Sequence, residues 1–303
     1  MAKDINLQPN ASDPVLDEAT VLSLVRRHVP DAKGLTDVDE SGGEARTYAV
    51  DDHIILKTQR PHRLRAKTSL EKEAFFLREL AKYPDIRVPR VYGYGKEGSI
   101  EYTCMTRIPG IAVKHADLSA PARKEMLFQL GITLRQVHGI AQQPFIDSGL
   151  FPGDRTFEDT KNKINGAFDG LVEKLRINGS SRESERAQMV AKKSMEYLPD
   201  TGLLVAVHAN PATTHTFVDP DTGEYTGTID FGDAYISHPI FDLRKWGIAE
   251  RESLLSGYIS EQPIGVDFKR VWNVVEILDT MIESHSRGEL SVAFIEVLLA
   301  KLN

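Results

Sequence analysis

Near Pro109-Gly110 the hydrophobic period of this chain changes, and that change constrains its fold more than any other feature. Before it, short runs of strand character dominate. Arg46 to Val50 and His53 to Lys57, parted by Asp51-Asp52, read as a hairpin, and Val91 to Tyr94 and Glu101 to Arg107 read as two further strands. A helix is expected over Asp17 to Val29, where Val21, Leu22, Leu24 and Val25 recur at helical spacing, and a stronger one over Ser69 to Tyr83. From Ala120 onward the pattern turns helical. Arg123 to Gly139 carries Met126, Leu127, Leu130, Leu134 and Val137 on one face, and residues 151–200 are charge-mixed and helical with a break near Asn178-Gly179-Ser180. A β-like island from Leu203 to Phe231 precedes further helices. A strand-rich stretch around one strong helix, then helices around a small island, gives an α+β fold in two lobes. The expected divisions are a flexible lead-in over 1–16, a small β-sheet lobe over 17–109 and a larger, mostly helical lobe over 110–303, with a hinge at Pro109-Gly110.

Composition excludes several function classes. A net charge of -7 offers no electrostatic reason to bind nucleic acid, although it would slightly favour a cationic small molecule. The single cysteine, Cys104, rules out an intrachain disulfide framework or a Cys-rich metal site, and its strand-like neighbours imply a buried, inert thiol. No run of about 20 apolar residues that could span a bilayer occurs, and the polar N-terminus lacks the apolar stretch of a signal peptide. A reducing cytoplasm is the expected location, which makes the Asn-x-Ser matches at Asn10 and Asn178 chance ones.

Two groups of residues carry chemistry. His208-Ala209-Asn210-Pro211 and His215 precede Thr216 to Val218, a turn at Asp219-Pro220-Asp221-Thr222-Gly223, and Thr226 to Ile229, ending in Asp230-Phe231-Gly232-Asp233. A hairpin here would bring Asn210 and His215 close to Asp230, and a carboxylate leaving a strand into a glycine turn suits a divalent ion on nucleotide phosphates. Asp-Phe-Gly by itself reads equally well as a plain turn. Further upstream, Lys57 ends the apolar run His53-Ile54-Ile55-Leu56, while Glu73 shares a helix face with Leu70, Leu77 and Leu80. An unpaired carboxylate on such a stripe is costly, so Lys57 is its expected partner.

The order of these segments resembles the aminoglycoside phosphotransferase family, the small-molecule branch of the protein-kinase-like fold, over roughly residues 35–295. Ser41-Gly42-Gly43-Glu44-Ala45 is similar to that family's phosphate-covering turn. Lys57 matches the strand lysine, and Glu73 matches the helix glutamate. Met105-Thr106-Arg107-Ile108-Pro109-Gly110 resembles the hinge, which implies that backbone groups of Thr106 and Ile108 meet the base. Val137-His138, Pro239 and Asp242 complete the match, with Asp242 expected to brace the loop at 208 by accepting its backbone N–H groups. The resemblance implies ATP or GTP as phosphate donor, a small-molecule hydroxyl as acceptor, and Mg2+ held by Asp230 and the residue at 215.

The match breaks in one place. The family reads His-Gly-Asp, four residues, then Asn, where this chain has His208, Ala209, Asn210 and His215. An amide cannot take the acceptor's proton, and a positioned base is worth about 10²–10⁴-fold in rate. Imidazole at 215 favours softer ions than magnesium, which makes Mn2+ the alternative metal. Two readings stay open: a working phosphotransferase in which Asn210 orients the hydroxyl, and a nucleotide-binding pseudokinase. His208 is expected as a loop histidine bonded to backbone near Asp230 and is grouped with Asn210 as a catalytic candidate. His53, His62, His138 and His285 read as surface or packing residues. Residues 151–200 contain nine acids and nine bases, so that segment offers no acidic funnel, and weak or no activity on polycationic aminoglycosides is expected.

Overall fold

A computed structural model describes residues 13–60 and 69–302; the greater part of the expected lead-in, Asn10 and His62 lie outside them. The described chain opens with α1 (Glu18–Arg26), capped by Asp17, whose side chain accepts the Thr20 N–H at 2.8 Å. Five strands follow: β1 (Leu35–Asp39), β2 (Ala45–Val50), β3 (Ile54–Gln59), β4 (Val91–Glu97) and β5 (Ile100–Thr106). They form one antiparallel sheet in the order β1-β2-β3-β5-β4. The hairpin expected at Asp51-Asp52 is present, with Asp51 left-handed at φ 50°. Helix α2 (Leu70–Leu80) is inserted between β3 and β4, and Ser69 caps it.

Alternation along β3 decides what lies on each side of the sheet. Ile54 and Leu56, with Tyr48, Tyr102 and Cys104, pack against Val21, Leu24 and Val25 of α1. Ile55 and Lys57 face α2, and there the core is shared. Phe76, Leu77, Leu80 and Met105 pack with Val137, Phe145, Phe151, Ala206 and Phe231 from the later part of the chain. Burial pushes the Cys104 thiol up to about 12, as suits an inert core residue.

The helical part holds β6 (Ile111–Ala112), α3 (Ala120–Gly139), α4 (Gln143–Ser148), α5 (Phe157–Ile177), α6 (Ser181–Tyr197), β7 (Val205–Val207), β8 (Thr216–Val218), β9 (Tyr225–Thr228), β10 (Tyr235–Ser237), α7 (Ile240–Leu243), α8 (Arg251–Tyr258), α9 (Val266–Ser286) and α10 (Val292–Ala300). Its core draws on α3, α5, α6, α8, α9 and α10. The β island is more divided than its sequence suggests: β6-β8-β9 make one small sheet, and β7 pairs with β10. Asp219 builds the expected turn between β8 and β9 by accepting the N–H groups of Asp221 and Thr222. Among the described residues, no helix is long and apolar enough to cross a membrane.

Candidate functional site: a charged cluster where the sheet meets the island

Three elements converge on Lys57. It leaves β3 toward α2, where Glu73 sits 1% exposed, and its Nζ donates to Glu73 Oε2 at 2.9 Å. The same Nζ donates to Asp230 Oδ1 at 2.8 Å, although 173 positions separate the two residues. Asp230, two residues beyond the end of β9, adopts a left-handed conformation, φ 72° and ψ 65°. That twist sends its carboxylate toward Lys57, while Phe231 turns inward, 4.8 Å from the Phe76 ring and 4.4 Å from the His208 ring. Burial works against the Lys57 ammonium, but Asp230 and Glu73 outweigh it and raise its pKa. Burial likewise opposes the Asp230 carboxylate, yet Lys57 and His215 hold it well below the usual carboxylate range. For Glu73, burial prevails and pushes the carboxyl up against the pull of Lys57.

The loop after β7 supplies the rest. His208 is fully buried; its Nε2 donates to the Ile229 carbonyl at 2.8 Å, and its Nδ1 accepts the Asn210 N–H at 3.2 Å. Both ring nitrogens are thus engaged with backbone, and burial pushes the imidazole pKa down. That geometry, expected of a loop histidine near Asp230, joins the loop to the segment after β9. Asp242 accepts the N–H of His208 at 2.8 Å and that of Ala209 at 2.7 Å. His138 braces that carboxylate at 3.0 Å and is itself bonded to the Tyr258 hydroxyl at 3.1 Å. Behind the loop, the Trp246 indole donates to the Pro211 carbonyl at 2.7 Å.

Asn210 is half-buried, and its carbonyl accepts from His215 Nδ1 at 2.8 Å. The other ring nitrogen, Nε2, lies 3.2 Å from Asp230 Oδ2. Among the described residues, no group of three or more His, Cys, Asp or Glu side chains could hold a metal ion.

The remaining expected residues lie apart from this charge cluster. Gly42 and Gly43 form the exposed turn between β1 and β2; a Cβ on Gly42 would collide with the Ala45 carbonyl, so the tight turn requires glycine there. Met105 is buried in the shared core. The Thr106 N–H is bonded to the Arg90 carbonyl at 2.8 Å, which narrows what Thr106 could offer a base to its carbonyl. Sequence reasoning missed Asp13, which sits between Arg46 and Arg60, and Lys72, 1% exposed with its Nζ on the Ala234 carbonyl at 2.7 Å. Neither carries a local signal, since a charge in a polar or amphipathic segment reads as solvated.

No curated protein matches the chain. Among solved structures, it is similar to the GDP complex of wild-type aminoglycoside 2'-phosphotransferase-IIIa, at 16% identity over 95% of this chain and 98% of that chain, with a TM-score of 0.60. It is also similar to macrolide 2'-phosphotransferase MphH from Brachybacterium faecium, at 20% identity over 94% and 98% of the two chains, with a TM-score of 0.53. A third similar structure is the streptomycin-ATP-APH(2")-IIa ternary complex, at 16% identity over 91% and 96%, with a TM-score of 0.54. At these identities the likeness speaks to the fold, a mixed α+β protein-kinase-like one. A model described as the phosphotransferase enzyme family matches residues 37–261, and the chain belongs to that family.

Proposed function

We propose that this chain binds ATP or GTP and transfers the terminal phosphoryl group to a hydroxyl of a small molecule. The observation that carries the reading is Lys57 bonded at once to Glu73 and Asp230, which joins the sheet, α2 and the segment after β9 in the arrangement that phosphate positioning needs. The nucleotides in the similar structures (GDP and ATP) fit this reading. We take residues 17–109 and 110–303 as the two lobes flanking the nucleotide, with Gly42 and Gly43 over its phosphates and the Thr106 carbonyl and Ile108 N–H at its base. A divalent ion held by Asp230 and His215 would neutralise phosphate charge, and the nitrogen ligand suits Mn2+ better than Mg2+.

In the transfer, the acceptor oxygen forms its bond to the terminal phosphorus as the bond to the leaving diphosphate breaks. The Asn210 carboxamide accepts a hydrogen bond from the acceptor hydroxyl and orients it. The proton passes to a phosphoryl oxygen or to water, because the amide cannot hold it. Asn210 is also the observation that favours a second reading, a nucleotide-binding pseudokinase.

Thermal unfolding with ATP and GTP, each with Mg2+ and with Mn2+, tests the binding common to both readings. A stabilisation that disappears in Asp230→Ala is expected; no stabilisation by any nucleotide overturns both. A screen of hydroxylic acceptors with this protein and with Asn210→Asp then separates them. Turnover by the native chain, raised in the variant by up to about 10²–10⁴-fold, is expected. Tight binding with turnover only in the variant would establish the pseudokinase.

A further inference from the structure

The segment ahead of α1 is tied to the glycine turn through a pair of arginines. Asp13 is 12% exposed at its side chain, with Oδ1 accepting from Arg46 Nη1 and Oδ2 from Arg60 Nε, each at 2.9 Å. Arg46 also donates to the Pro14 carbonyl at 3.1 Å and to Glu40 Oε1 at 3.2 Å. Arg60 then reaches the turn itself: its Nη1 donates to the carbonyls of Glu40 and Gly42, each at 3.3 Å. Both arginines are almost wholly buried, at 3% and 6% exposure, so their guanidinium groups are committed to these partners.

The direction of these bonds matters. Leu56 and Thr58 of β3, and Arg60 just beyond it, share one parity, with Leu56 in the core on the α1 side, whereas Lys57 and Gln59 share the other. In a trans peptide the carbonyl of one residue and the N–H of the next point in opposite directions. Holding the Gly42 carbonyl toward Arg60 therefore turns the Gly43 N–H away from Arg60.

We propose that Asp13 is a positioning residue for nucleotide phosphate, acting through Arg60 to present the Gly43 N–H on the side of the turn away from Arg60. This rests on the nucleotide-binding reading above. At the end of the expected lead-in, the Leu16 N–H also donates to the Tyr48 hydroxyl at 2.9 Å.

The test compares a ligand with phosphates and one without. Affinities for ATP and for adenosine are measured by calorimetry on the full chain, on Asp13→Asn, and on Arg60→Gln as a second variant. The expected result is a loss of at least about fivefold in ATP affinity, in line with the loss of one or two charge-assisted hydrogen bonds, with adenosine affinity unchanged. Restoration of ATP affinity in Asp13→Glu would support the role of the carboxylate. Equal losses for both ligands, or a lowered melting temperature with the ATP-to-adenosine ratio intact, would overturn the proposal and leave Asp13 a structural anchor. A native chain that binds no nucleotide would instead overturn the reading beneath it.

Discussion

At the scale of single residues, the loop from His208 to Asn210 is braced by Asp242, 34 and 33 positions from the two residues whose N–H groups it accepts. Ala209 has φ 79°, a conformation that its Cβ disfavours by about 1–2 kcal/mol. Asp242 holds it there by accepting its N–H and that of His208. Glycine would sit in this place without that strain, at a cost of about 0.4–1 kcal/mol in unfolded-chain entropy. Ala209→Gly is therefore expected to raise stability by about 0.5–1 kcal/mol in urea denaturation. A loss of stability would mean that the methyl group's packing outweighs the backbone strain. Asp242 and Asp230 were legible in the sequence because they belong to an ordered motif at fixed spacing. Asp13 was not, because nothing near it in the chain marks which arginines it meets.

At the scale of elements, the packing of α3 on α8 depends on two glycines. A Cβ on Gly257 would collide with the Phe128 carbonyl, and one on Gly131 with the Leu254 carbonyl, so the two helix backbones lie in direct contact. Gly170, on the exposed side of α5, has nothing within reach of a Cβ. Alanine is the better helix former by about 1 kcal/mol, whereas forcing two packed helices apart costs about 1–3 kcal/mol or more. Opposite signs follow: Gly257→Ala destabilises by about 2 kcal/mol and Gly170→Ala stabilises by up to about 1 kcal/mol. Equilibrium denaturation of the two variants checks this, and a stabilised Gly257→Ala would show that α8 can shift without cost. The helices themselves were legible from their apolar spacing. Which glycine is a contact and which a surface residue was not, since both read as interruptions.

At the scale of the whole molecule, two buried histidines make stability depend on pH. Burial, reinforced by His138, pushes His238 down to about 3, and burial also lowers His208. The unfolded chain therefore binds more protons than the folded one once pH drops below about 6.5, the ordinary value for histidine. Their contribution is complete above that value and is lost as pH falls, for His238 over the window from about 6.5 to about 3. The unfolding free energy in urea should be smaller at pH 5 than at pH 7.5, with a smaller difference in His238→Gln. Equal stability at the two values would contradict the burial of both rings. The sequence by itself determined the main strands and helices, the α+β class and the family motifs, because apolar periodicity and turn chemistry act over a few neighbouring residues. Only the tertiary structure decided that Lys57 bridges Glu73 and Asp230, that the core beneath α2 is shared with residues beyond Val137, and that Asp13 reaches the glycine turn. Those contacts join residues far apart in the chain, and they form only once α2 and the strands have docked.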